Sequence, residues 1–282
     1  MRDLSDINVI KDVMSRHGFS FSKALGQNFI VDSTVCPRIA EEGGCDENTG
    51  VIEIGAGVGV LTAELAKRAK KVVSIELDKR LLPVLSETLG EFDNVEIVND
   101  DILKIDLKKL IEEKFAGMRV VVCANLPYYI TSPVIMLLLE GHFGIDSVTV
   151  MVQKEAGERL CAEVGSREAG AVTAAVSYYA EAQKLFNVSR GCFMPSPKVD
   201  SMVIKLTLRK EPLMVLSDEK KFFRLIKAAF GQRRKTAVNS ISSGMGIPKE
   251  RVAQVLREAG FQTDVRAEKF SMEDFRRICE LI

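Results

Sequence analysis

Asn125-Leu126-Pro127-Tyr128 follows directly on the apolar run RVVVCA and combines an amide acceptor, a fixed turn and an aromatic face. That combination suits one demanding reaction. The amino group of adenine is a poor nucleophile because its lone pair is delocalised into the ring. Accepting hydrogen bonds from its two N–H groups restores electron density on nitrogen. The Asn125 side-chain oxygen and the Leu126 carbonyl can supply those acceptors, Pro127 fixes the turn, and Tyr128 offers a face on which a base can stack. Asn, Pro and aromatic residues are also ordinary turn residues.

A second group lies upstream. In VIEIGAGVGVLTAELA, Gly55, Gly57 and Gly59 alternate between a strand-like run and a helix-like run. Glycine lets the chain turn sharply and approach a ligand, and the helix start presents unpaired N–H groups. A dinucleotide fingerprint would place its third glycine where Val60 stands, so the turn is a poor match to a pyrophosphate cofactor. Glu76 ends the next strand about twenty residues further on, where a carboxylate can hold both hydroxyls of a ribose. Asp101, in VEIVNDDILKID, is the expected contact to a cofactor adenine, with Asp100 the alternative one residue away.

These residues need a scaffold that brings strand ends together. Short β-branched runs at 50–55, 71–76, 95–98, 119–124 and 147–153 alternate with helix-like segments, after a helical pattern over 4–16. Such alternation predicts an α/β fold with a doubly wound, mostly parallel sheet. Beyond Glu181, QKLFNV and SMVIKLTL flank the loop FMPSPKVDS and read as a strand pair closing one edge in antiparallel fashion. From Glu211 onward the pattern is helical with polar faces. The boundaries predicted are a sheet domain over 1–208 and a small α-helical domain over 209–282.

Composition limits the remaining possibilities. The 282 residues are 46% hydrophobic, enough for one substantial core and a smaller unit. Net charge is zero, but residues 209–282 hold 16 Lys+Arg against 10 Asp+Glu, an asymmetry suited to a polyanion. The six cysteines form no C-x-x-C pair and there are two histidines, so no metal site is expected. No apolar run reaches membrane length, and a reducing, cytoplasmic setting is the default expectation.

The motifs ALGQNFI (24–30), EIGAGVGVLT (53–62), IELD (75–78), NLPYYITSP (125–133), FMPSPKVDS (193–201) and FGQRRKT (230–236) occur together and in order. With them the chain resembles the KsgA (RsmA) ribosomal RNA adenine dimethyltransferases along essentially its whole length. Ala56 stands where proline is common in that family, and Ile30 where leucine is usual. The resemblance implies a Rossmann-like methyltransferase sheet and S-adenosylmethionine as cofactor. It places Asn28 and Ile30 over the methionine end, with Gly55 and Gly57 in the turn approaching the cofactor. Glu76 would hold the ribose, Asp101 the adenine amine and Asn125 the reacting region. Phe193 would form the wall of the base pocket opposite Tyr128, although it also reads as a core plug. Gln232, Arg233, Arg234 and Lys235 would contact RNA phosphates or simply coat a solvated basic helix. The implied partner is small-subunit ribosomal RNA within a pre-ribosomal particle, met by a monomer without a membrane. Two adjacent adenines in a hairpin loop near the 3′ end would be dimethylated. The alternatives are an Erm-type methyltransferase of large-subunit RNA and an RNA-binding assembly factor in which docking matters more than turnover.

Overall fold

The computed structural model describes residues 4–22 and 26–282; Ala24 and Leu25 of the ALGQNFI motif lie outside the described residues. In chain order the elements are α1 (Ile7–Arg16), β1 (Phe29–Ile30), α2 (Val35–Glu42), β2 (Thr49–Ile54), α3 (Val60–Ala66), β3 (Lys71–Ile75) and α4 (Leu82–Thr88). Then come β4 (Val95–Val98), α5 (Leu107–Lys114), β5 (Arg119–Asn125), α6 (Thr131–Glu140), β6 (Ile145–Gln153), α7 (Lys154–Leu160), α8 (Ala171–Tyr179), β7 (Ala180–Val188), β8 (Phe193–Met194) and β9 (Ser201–Leu208). The chain ends with α9 (Glu219–Phe230), α10 (Ala237–Met245), α11 (Lys249–Glu258) and α12 (Met272–Leu281).

Seven strands form one sheet in the order β4-β3-β2-β5-β6-β9-β7. The first five are parallel neighbours and β9 runs antiparallel to β6. The strand order reverses between β2 and β5, which makes the carboxyl ends of these two strands the edge of a ligand crevice. Continuous apolar burial explains why they occupy the centre: Val51, Ile52, Val121 and Val122 are wholly buried. Strands read from the sequence match these to within a residue or two, as expected where β-branched runs meet glycine or charge, except that β7 begins three residues before QKLFNV. The first helix begins at Ile7 rather than residue 4, because the Asp6 carboxylate caps it by accepting from the Asn8 amide at 2.7 Å.

The chain divides into two compact units, Met1–Gly157 with Glu181–Leu208, and Glu158–Ala180 with Arg209–Ile282. The sequence-based division places residues 158–180 with the sheet domain; in the structure they cluster with the C-terminal helices. Aromatic packing is the reason. Tyr178 meets Phe222 and Phe223, Tyr179 stacks on Phe223, and both hydroxyls donate to the Glu219 carboxylate at 3.2 and 2.6 Å. In the second unit Phe222, Leu225, Phe270 and Phe275 are fully buried at the core.

Candidate functional site

A cavity of about 250 Å³ opens at the carboxyl ends of β2 to β5, bounded by the glycine turn, the strand-end acids, the Asn125–Tyr128 turn and Phe193. Each glycine of the turn has its own role. Gly55 has φ +82°, and a Cβ there would meet no atom within 4 Å, so its backbone faces open space. At Gly57 (φ +58°) a Cβ would come to 3.2 Å of Phe29, and at Gly59 (φ +91°) to 3.0 Å of Leu89. The first glycine thus leaves room for a ligand while the other two allow close packing.

Glu76 closes the turn from below. It is 6% exposed, and its two oxygens accept from the Gly57 amide at 3.0 Å and the Asp78 amide at 2.8 Å. Burial pushes its carboxyl up, opposed by those two amide donors. An ionised carboxylate has about four lone-pair sites, so acceptor capacity remains for a pair of hydroxyls. Asn99 fixes the strand end by donating to the Glu76 carbonyl at 2.6 Å. Gln27 donates to Asp78 at 2.9 Å and ties the loop before β1 to the same corner.

Asp100 and Asp101 both line the cavity. Asp101 accepts from the Leu103 amide at 3.0 Å and pairs with Lys104 at 3.3 Å, whereas Asp100 is more exposed and accepts from the Asp101 amide.

Asn125 is the last residue of β5. Its Nδ2 donates to the Asn28 carbonyl at 3.3 Å, which leaves Oδ1 as the acceptor on the other side of the amide. Asn28 in turn donates to the Gly26 carbonyl at 3.1 Å. Leu126 is buried and anchored by its amide to the Met151 carbonyl at 3.2 Å. The Tyr128 hydroxyl lies 3.1 Å from Ser201 Oγ, on a serine that is 1% exposed. Ile30 and Phe193 are register partners in a two-stranded antiparallel sheet of β1 and β8. Phe193 is 5% exposed and lines the cavity, so it is at once core and wall.

Three contributors carry no role in the sequence reading. Ser201 and Gln27 become visible only through long-range contacts. Glu53 lies within a quoted motif, and its meaning comes from burial. Its Oε2 accepts from the Thr62 hydroxyl at 2.6 Å, clamping the strand before the glycine turn to the helix after it, while Oε1 is buried without a hydrogen-bond partner. Burial raises its carboxyl to about 7, against the lowering effect of the Thr62 hydroxyl and with the nearby Glu76 carboxylate adding to the rise.

In the second unit, Gln232, Arg233, Arg234 and Lys235 are all exposed. They occupy the turn between α9 and α10 and not a continuous helix. Gly231 ends α9, and Thr236 caps α10 through the Asn239 amide. Arg233 donates to the Arg167 carbonyl at 2.9 Å, and Gln232 donates to Ser243 at 3.4 Å.

The reversal of strand order beside these acids and the Asn125 turn defines a Rossmann-like methyltransferase fold of the doubly wound type. The chain belongs to the ribosomal RNA adenine dimethylase family, which matches it over residues 18–282. It is 44% identical over 279 residues to the ribosomal RNA small subunit methyltransferase A of Bacillus mycoides, covering 98% of this chain and 96% of that protein. The protein of the same name from Bacillus licheniformis is 45% identical over 269 residues, covering 94% and 92%. Among solved structures, a dimethyladenosine transferase from Plasmodium falciparum is similar with a TM-score of 0.71 and 25% identity, over 89% of this chain and 95% of that one. The 23S rRNA methyltransferase ErmE gives 0.67 and 29%, over 90% and 99%.

Proposed function

We propose that the protein transfers methyl groups from S-adenosylmethionine to the exocyclic amino group of adenine in small-subunit ribosomal RNA, twice on each target. Two adjacent adenines of a hairpin loop near the 3′ end, met within a pre-ribosomal particle, are the proposed targets. The observation that carries this reading is the charge of the cavity. Glu76, Asp100 and Asp101 line it, and among the described lining residues there is no lysine or arginine. A dinucleotide pyrophosphate would be repelled there. A sulfonium cofactor with an ammonium group and a ribose is matched in charge and in acceptors.

When bound, the cofactor supplies an electrophilic methyl group on a cationic sulfur. The chain's residues then have separate tasks. Glu76 receives the ribose hydroxyls, Gly55 leaves space for the cofactor, and Asp101 receives the amine of its adenine. Asn28 and Ile30 cover the methionine end, while Phe193 and Tyr128 enclose a base that has left its stack. Asn125 Oδ1 and the Leu126 carbonyl accept from the amino N–H groups and stabilise the charge that appears on nitrogen.

Two expectations test this arrangement. Glu76→Ala should weaken S-adenosylmethionine binding by about 1–3 kcal/mol, because the ribose hydroxyls lose a buried acceptor; unchanged affinity by calorimetry would remove Glu76 from the cofactor site. Tyr128→Phe keeps the ring and loses only its bond to Ser201, so methyl transfer should largely persist, whereas Tyr128→Ala should lose about 1–3 kcal/mol of stacking. Equal damage from both would mean that the hydroxyl acts in the reaction.

The exposed turn at 232–235 is the proposed phosphate-binding segment. Replacing Arg233, Arg234 and Lys235 with alanine should flatten the salt dependence of RNA binding by up to about 0.9 log unit for each phosphate no longer neutralised, with cofactor affinity unchanged. An unaltered salt slope would make the turn a solvated surface. The target itself is tested with methyl-labelled cofactor and undermethylated small and large ribosomal subunits. Label should enter the small-subunit RNA as dimethyladenosine. Label confined to the large subunit would favour the activity named for ErmE.

A further inference from the structure

Five register partners form a polar row across the sheet: Ser74, Glu53, Cys123, Thr149 and Lys205. At its centre Cys123 is wholly buried, and its Sγ lies 3.9 Å from Sγ of Cys45, which is partly exposed on the turn between α2 and β2. The turn comes close because it contains glycine. A Cβ on Gly43 would stand 2.8 Å from the Cys123 sulfur.

Cations gather around this pair. Lys205 Nζ donates to the Glu42 carbonyl at 2.8 Å, and Arg119 is held to the same turn through the Gly44 carbonyl and through Thr49 at 2.8 Å. The thiol of Cys45 is held below its ordinary value, first by the hydrogen bond with Cys123 and then by Arg119 and Arg68, with burial and the Asp46 carboxylate, itself paired with Arg119 at 3.1 Å, acting against them. Cys123 is pushed well above its ordinary value by that same bond and by burial. Reactive cysteines occupy electropositive, partly exposed surroundings of this kind, next to a second thiol that can resolve the oxidised product.

We propose that Cys45 and Cys123 form an oxidisable dithiol, a modification site that hydrogen peroxide converts to a disulfide. The Cys45 thiolate attacks one peroxide oxygen, the O–O bond breaks, and the departing hydroxide takes up a proton to leave as water. Cys45 is now a sulfenic acid. The Cys123 sulfur attacks the Cys45 sulfur, the S–O bond breaks, and the hydroxide released combines with the Cys123 proton as a second water. The two thiols lose two electrons and the peroxide gains them. Bond formation requires the sulfurs to approach by about 2 Å, a movement assigned to the turn, since Cys123 is fixed within β5. The bond ties that turn to the strand that ends at Asn125.

The test uses the full native chain and hydrogen peroxide, followed by alkylation after unfolding and intact-mass measurement. The six cysteine thiols should fall to four, with loss of two hydrogens in mass and a dithiothreitol-reversible crosslink between the peptides containing Cys45 and Cys123. Cys45→Ser should keep its five remaining thiols through the same treatment. Six alkylatable thiols after peroxide, a crosslink through another cysteine, or sulfinic acid at Cys45 without a crosslink would each overturn the proposal. None of these outcomes depends on methyl transfer.

Discussion

Asn125→Ala is expected to slow single-turnover methyl transfer by about two to three powers of ten, the usual loss when a transition-state hydrogen bond is removed. The geometry explains why one side chain carries so much. The Asn28 carbonyl takes Nδ2, so Oδ1 is fixed as an acceptor before any base arrives. An acceptor held in this way needs no reorganisation as charge develops on the amino nitrogen. RNA affinity should change far less than the rate, because the basic turn at 232–235 and the wider RNA surface are untouched. A normal rate in rapid-quench measurements would reduce Asn125-Leu126-Pro127-Tyr128 to a structural turn.

The second large effect is on stability, at Glu53. Its carboxyl titrates near 7 in the folded chain against an ordinary value of 4.5, because burial disfavours the charged form. The folded state therefore holds this proton more tightly than the unfolded state. Its stabilising contribution is complete below about pH 4.5 and is lost as pH rises through about 7. Glu53→Gln removes the titration while keeping an oxygen that can accept from Thr62. The variant should exceed the parent by about 3 kcal/mol at pH 8 and match it near pH 4. Urea unfolding of both proteins across this range measures the difference directly, since every other titrating group is shared. Parallel pH profiles would show that Glu53 is not buried as a carboxylic acid.

The sheet is legible in the sequence because its signal is local: β-branched runs punctuated by glycine and charge, with a ligand turn after the first. The strand-end residues Glu76, Asp101 and Asn125 can be read the same way, since a parallel sheet puts strand ends on one edge. What the sequence hides is pairing between distant segments. Nothing near Phe29 or Phe193 announces that β1 and β8, far apart in the chain, form a two-stranded sheet. Nothing near Tyr128 announces Ser201. Helix α8 reads as a continuation of the sheet domain until the packing of Tyr178 and Tyr179 on α9 draws it to the second unit. The basic run at 232–235 merges with its flanking helices in a pattern scan, because Gly231 and Thr236 interrupt helicity without interrupting amphipathic spacing. Glu53 is visible as a letter, and its altered titration follows chiefly from burial, which only the folded chain supplies.

Nucleoside mass spectrometry of small-subunit ribosomal RNA from cells lacking the protein tests the central claim most directly, with wild-type and Asn125→Ala chains restored in parallel. Dimethyladenosine should be absent from the deletion strain, return with the wild-type chain, and remain strongly reduced with Asn125→Ala. Full dimethylation in the deletion strain would contradict the assignment of this activity to the chain, and full restoration by Asn125→Ala would contradict the chemistry assigned to its site.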